Sequence, residues 1–241
     1  MKQNSTAEQH LPELIRVGSV CLGGGSLILF FSFLILGTKL SLNLEISVYK
    51  AISIDIFLSF LFFAQHSTMV RPWFKERLGK IIPDSFYAAA YSIVSGLTLC
   101  MVVLFWQGTG EIIPVPGWLR IIQVCLVMAS LAGFFWGVKS LYSFDPLGLR
   151  PQKVDAGMGV TLKIRGPFRY VRHPLYFFSL LLIWSTIYFS WDRVLFAVMW
   201  SAWIVIGAWM EEKDLVAFFG KPYQEYQKNV PMLVPKIKGY R

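Results

Sequence analysis

Charge is scarce in this chain: 15% of its 241 residues are charged against 55% hydrophobic, too few to coat a soluble domain of this size. Histidine and cysteine are scarcer still, with three of each. Cys21, Cys100 and Cys125 lie inside apolar segments without paired spacing, which excludes a disulfide framework and a metal knuckle. His10, His66 and His173 form no dense ligand set such as HExxH, so no catalytic metal is expected. The formal charge of +9 could suggest nucleic acid, but the lysines and arginines cluster at the ends of apolar runs, where anionic lipid headgroups explain them better. What is left is an all-α integral membrane protein surrounded by lipid, with no nucleic acid partner. The first apolar run follows Glu8 and Glu13 and no small-residue cleavage site clearly comes after it, so it reads as a retained helix and not a signal peptide.

About 20 apolar residues cross a bilayer as a helix, and that rule picks out six segments near 17-37, 48-66, 86-106, 118-142, 174-190 and 193-211. The last two are short and are separated only by Ser190-Trp191-Asp192, as in a tight helical hairpin. Basic residues alternate from side to side: Arg71, Lys75, Arg77 and Lys80 after the second segment, Lys153 to Arg172 after the fourth, and the tail beyond Glu211. This places both termini in the cytoplasm, and the membrane is expected to be a bacterial inner membrane. The chain reads as one membrane domain, with a four-helix part over 17-142 and a cofactor-binding part over 143-241. Gly23-Gly24-Gly25 has no strand before it and reads as helix packing. Lys50 can snorkel outward from its helix end. Asp55 lies deeper, and a functional role and a polar contact between helices stand equal for it.

The stretch around which the rest is organised is Arg165 to Tyr176, RGPFRYVRHPLY. Pro174 can open the next helix, which puts Arg172 and His173 at a helix N-terminus where free N–H groups and the dipole favour an anion. A basic flank that merely orients a membrane helix is the competing reading. Gln65-His66-Ser67 ends the second segment, Asp145 follows the fourth, and Glu211-Glu212 follows the last. Arginine, histidine and helix N–H groups suit a carboxylate, while glutamates suit an amine or ribose hydroxyls, so the set fits a zwitterionic ligand. Beyond Glu212 a surface helix is expected, broken by Pro222, and then an extended tail through Val230-Pro231 and Val234-Pro235. A short alternation at Val160, Leu162 and Ile164 reads as a small hairpin.

Gly166-Pro167-Phe168-Arg169-Tyr170-Val171-Arg172-His173-Pro174-Leu175-Tyr176, followed by Glu211-Glu212, Leu215, Gly220, Tyr223, Tyr226, Val230-Pro231 and Pro235, resembles the isoprenylcysteine carboxyl methyltransferase and phospholipid methyltransferase superfamily. Gln65-His66-Ser67, Arg71-Pro72, Phe74-Lys75, Phe105-Trp106-Gln107 and Phe144 to Arg150 resemble its methanethiol S-methyltransferase branch. Nitrite-reduction-associated membrane proteins carry a similar glutamine-histidine-serine element. The resemblance implies an enzyme that uses S-adenosyl-L-methionine, with Arg172, His173 and Tyr176 holding the methionine part and Glu211 and Glu212 the rest. Gly166 and Pro167 belong to the same cofactor-binding set. Adjacent helical residues point about 100° apart, so one glutamate is expected to touch the cofactor and the other to support it. The family pattern has glycine where this chain has Phe178, a ring that would narrow the cavity.

On the acceptor side the candidates are His66, Gln65 and Asp145, for deprotonating or orienting a thiol. The implied acceptor is a small thiol, methanethiol giving dimethyl sulfide; a lipid amine or a prenylated thiol or carboxylate is the alternative. Sterol reductases share part of this fold, but no added arginine cluster near 211-226 would grip the 2'-phosphate of NADPH. A non-catalytic membrane factor would not need intact cofactor motifs. The topology predicts that a cysteine introduced by K153C resists an impermeant thiol reagent applied from outside. Strong external labelling would reverse the assignment of sides.

Overall fold

The computed structural model describes residues 13–110, 113–141, 162–186 and 189–240. Among them there are helices and connecting segments, in two compact units that meet near Gly110 in the sequence. In the first unit, α1 is a continuous helical run from Glu13 to Leu40. It contains a π-helical turn at Ser19–Gly24 and ends in a 3-10 turn at Gly37–Leu40. Then come α2 (Val48–Met69), the short α3 (Pro72–Leu78) and α4 (Asp84–Phe105).

The close packing of α4 on α1 is at Gly96, beside the first residue of the glycine triplet. A Cβ on Gly96 would lie 2.3 Å from the Leu22 carbonyl oxygen, so α4 meets the widened turn of α1 backbone to backbone. Such close approach is how small residues join helices in lipid. At the other end of α4, Asp55 is fully buried and accepts the Gln107 N–H at 2.8 Å. The Gln107 amide then donates to the Leu42 carbonyl at 2.9 Å and accepts the Leu44 N–H at 3.1 Å. Asp55 is therefore a polar contact tying α2 to the turn after α4. The buried Trp106 beside it meets the Phe33 ring edge-on at 6.0 Å, while Lys50 is exposed.

The second unit holds α5 (Gly117–Ser140), a 3-10 turn at Gly166–Arg169, α6 (Pro174–Trp184), α7 (Trp191–Phe219) and α8 (Lys221–Asn229). Among the described residues, five helices are long and apolar enough to cross a membrane. The fifth of the six expected segments is different. With 11 residues, α6 rises only about 16 Å, roughly half a hydrocarbon core. Pro174 fixes its start, and the buried polar pair Ser185 and Thr186 follows its last turn. The 29-residue α7 runs past both glutamates to Phe219, so they sit on a membrane helix and not after it. The break expected at Pro222 falls at Gly220, whose φ of +63° suits glycine. Pro222 instead occupies the first turn of α8, where its missing N–H costs nothing. Of the hairpin expected around residue 160, Val160 lies outside the described residues. Leu162 and Ile164 pack on the Tyr223, Tyr226 and Val230 cluster.

Phe178 packs across to α5. Its ring fills the notch over Gly133 of α5, where a Cβ would come within 2.1 Å of it, and one turn on Leu175 fills the notch over Gly137 at 2.7 Å. Gly133→Ala should therefore lower stability by about 1–3 kcal/mol, as overpacking does. Thermal unfolding in detergent would show it, and Phe178→Ala in the same chain should give back most of the loss.

Candidate functional site

The second unit gathers its polar residues on one buried carboxylate. Glu212 accepts the Arg172 Nε–H at 2.9 Å, the Tyr223 hydroxyl at 2.8 Å and the His173 Nε2 proton at 2.6 Å on Oε1. On Oε2 it meets Arg172 Nη2 at 2.9 Å and accepts the Gln227 amide at 2.5 Å. Arginine presents a rigid fork that matches a carboxylate in two places. Charge-assisted bonds of this number are what make a buried carboxylate tolerable. Arg172 Nη1 turns the other way, donating to the carbonyls of Gln227 and Val230.

Glu211, the next residue, behaves differently. Its side chain is 45% exposed, and it accepts the Tyr176 hydroxyl at 2.7 Å with His173 Nδ1 at 3.7 Å. The imidazole of His173 stacks on the Tyr176 ring at 5.4 Å and 13°. One glutamate is thus enclosed by protein donors and the other opens outward beside an aromatic pair, in keeping with the 100° step between neighbours on a helix.

Backbone geometry sets these side chains. Gly166 has φ +53°, and a Cβ there would strike Ser140 Oγ at 2.1 Å, so only glycine lets the loop seat on the end of α5. Pro167 is fully buried beneath the loop. The tail then closes over it: the Arg172 and His173 N–H groups donate to the Pro231 and Met232 carbonyls at 2.9 and 3.1 Å. The Lys236 and Tyr240 N–H groups donate to the Tyr170 and Arg169 carbonyls at 3.0 and 2.7 Å. These two loop amides are consequently not available to an anion, as a free helix N-terminus would have them. Val230-Pro231 earns its place in the motif by presenting those carbonyls. Burial, and after it the bond to Glu212, pushes the Tyr223 phenol far above its usual range, so it stays a neutral donor.

The first unit holds the other candidates. His66, near the end of α2, has Tyr91 Oη 3.0 Å from Nδ1 and 2.9 Å from Nε2. The Gln65 amide donates to Ser95 Oγ at 3.2 Å, and its carbonyl accepts the Thr98 hydroxyl at 2.9 Å. Asp145 lies outside the described residues. The sequence reading missed Tyr91, Ser95, Thr98 and Gln227. The signal was there as i,i+4 polar spacing, Tyr91 to Ser95 within the apolar α4 and Tyr223 to Gln227 on α8, which puts each pair on one helix face. No group of three or more His, Cys, Asp or Glu residues among those described could hold a metal ion.

The sequence model of the family described as phospholipid methyltransferase matches residues 120–222. The chain is 36% identical over 202 residues to methanethiol S-methyltransferase 2 of Bradyrhizobium diazoefficiens, covering 80% of this chain and 76% of that one. It is 33% identical to the methanethiol S-methyltransferase of Pseudomonas deceptionensis, covering 78% and 74%. To that of Crocosphaera subtropica it is 31% identical, covering 86% and 84%. No solved structure matches it.

Removing Glu212 leaves Arg172 and His173 buried without their acceptor. Glu212→Ala should cost about 3–5 kcal/mol, read as lost yield of folded protein or a lower denaturation midpoint in detergent. Glu211→Ala should leave stability close to wild type, because water can replace what it loses.

Proposed function

Because the chain belongs to the methanethiol S-methyltransferase branch of the isoprenylcysteine carboxyl methyltransferase and phospholipid methyltransferase superfamily, and is a membrane-embedded methyltransferase, we propose that it moves the methyl group of S-adenosyl-L-methionine to a small thiol. Methanethiol would be the acceptor and dimethyl sulfide the product. The observation that carries the cofactor side is the division of labour between the two glutamates. Glu212 is saturated by protein donors, whereas Glu211 opens outward beside His173 and Tyr176. That edge offers carboxylate oxygens for an amine or ribose hydroxyls and an imidazole nitrogen that, when protonated, donates to a carboxylate. These match the polar parts of S-adenosyl-L-methionine. In this reading Glu211, His173 and Tyr176 hold the cofactor, Arg172 and Glu212 hold those three in place, and Gly166 and Pro167 shape the loop beneath them.

When bound, the cofactor supplies a methyl group on a positively charged sulfur, so an acceptor thiolate forms the new sulfur–carbon bond while the old one breaks and leaves a neutral thioether. The chain's own task is to hold the acceptor and take its proton. A cysteine-like thiol of pKa about 8.5 is only a few per cent thiolate at neutral pH, and a simple alkyl thiol, with no electron-withdrawing substituent, is less ionised still. His66 is proposed as the base that accepts the S–H proton on a ring nitrogen and later releases it to water, with Gln65 and Asp145 orienting the acceptor. The apolar helices that carry Gln65 and His66 suit a small thiol that partitions into lipid. The same proposal puts both termini in the cytoplasm of a bacterial inner membrane.

Purified protein in detergent, given labelled S-adenosyl-L-methionine with methanethiol, larger thiols or phosphatidylethanolamine in turn, should methylate methanethiol best. Transfer to the lipid alone would overturn the acceptor. His66→Ala should leave cofactor affinity intact and lower turnover by roughly 10- to 1000-fold. Raising the pH should restore part of the loss, since more thiolate then forms unaided. Wild-type turnover at every pH would remove His66 from the chemistry.

A further inference from the structure

We propose that Tyr91 is a positioning residue for His66, acting with Ser95 so that α4 sets the orientation of two neighbouring α2 side chains together; the inference rests on the reading of His66 as the base. Gln65 and His66 are adjacent, so their side chains leave α2 about 100° apart. One neighbour cannot steady both. Tyr91 and Ser95 lie one turn apart on one face of α4, and each takes one of them.

The Tyr91 oxygen is placed almost equally from the two ring nitrogens of His66, at 3.0 and 2.9 Å. A phenol both donates and accepts. At equal distances it lies off both in-plane N–H directions, so a small shift toward either nitrogen completes a bond, the hydroxyl donating to a bare nitrogen or accepting from a protonated one. The ring itself is held by aromatic neighbours, Phe62 at 5.2 Å and 34° and Tyr91 at 5.2 Å and 50°. One turn on from Tyr91, Ser95 accepts from Gln65, and Gln65 accepts from Thr98. A base in an apolar surrounding can take a proton only if the charge it gains is met by groups already in place. Tyr91 is such a group, with its hydroxyl within bonding distance of the ring.

The test is a double-mutant cycle on the full-length protein in detergent, with methanethiol as acceptor. Y91F keeps the ring and removes the hydroxyl. It should lower kcat by roughly 3- to 10-fold, the range of one neutral hydrogen bond, with the KM for methanethiol and the calorimetric affinity for S-adenosyl-L-methionine unchanged. Combined with His66→Ala it should cost nothing further, because the two act as one unit. Ser95→Ala frees the Gln65 amide beside His66 and should give a smaller kcat loss; it serves if Y91F does not fold. An impaired His66→Ala enzyme in which Y91F or Ser95→Ala leaves kcat at wild type, or in which the losses multiply, overturns this inference and spares the base. Wild-type turnover in His66→Ala itself overturns the base, and this role with it.

Discussion

One buried carboxylate organises the second unit. Glu212 lies on the long helix α7, and its donors come from the loop before α6, from the first residue ahead of that helix, and from two positions on α8. Each element brings polar groups that could not be buried alone. A carboxylate taken out of water without partners would neutralise itself or force the elements apart. With its acceptor positions filled it does the opposite, and fixes three segments distant in sequence to one point. The neighbouring Glu211 inherits its position from that arrangement without sharing in it.

The first unit uses weaker bonds to similar effect. Gln65, His66, Tyr91, Ser95 and Thr98 are neutral or weakly basic, and each finds its partner on the facing helix. In lipid such contacts contribute modestly to helix association. Their larger consequence is that polar side chains on two apolar helices are left in defined orientations.

Much of this was legible in the sequence, and what was not has physical reasons. The RGPFRYVRHPLY stretch announced itself because prolines, a glycine and cations are out of place in an apolar chain, and the paired glutamates followed from the motif. Membrane character followed from composition. Helix ends did not: hydropathy sees Ile187 and Tyr188 as more of the same apolar run, whereas α6 stops at Trp184. Hydropathy likewise cannot see that α7 continues through the glutamates, since a helix does not end merely because it becomes polar. Gly220 and Pro222 lie two residues apart and either could break a helix; only the backbone angle separates them. The partners of His66 and Phe178 were invisible for another reason. Tyr91 is 25 residues away from His66 and Gly133 lies on a different helix from Phe178, and no local pattern records which faces meet.

The strap formed by the tail carries a consequence for the order of synthesis. Arg172 and His173 direct their amides to Pro231 and Met232, and Arg172 directs one arm of its fork to Gln227 and Val230. Those acceptors all follow α7 in the chain, so they reach the membrane surface after that helix. Until they arrive, the loop's donors must be met by water or headgroups, so insertion and assembly of the site are separate events. The second is completed only when the stretch from Gln227 to Met232 folds back onto the loop.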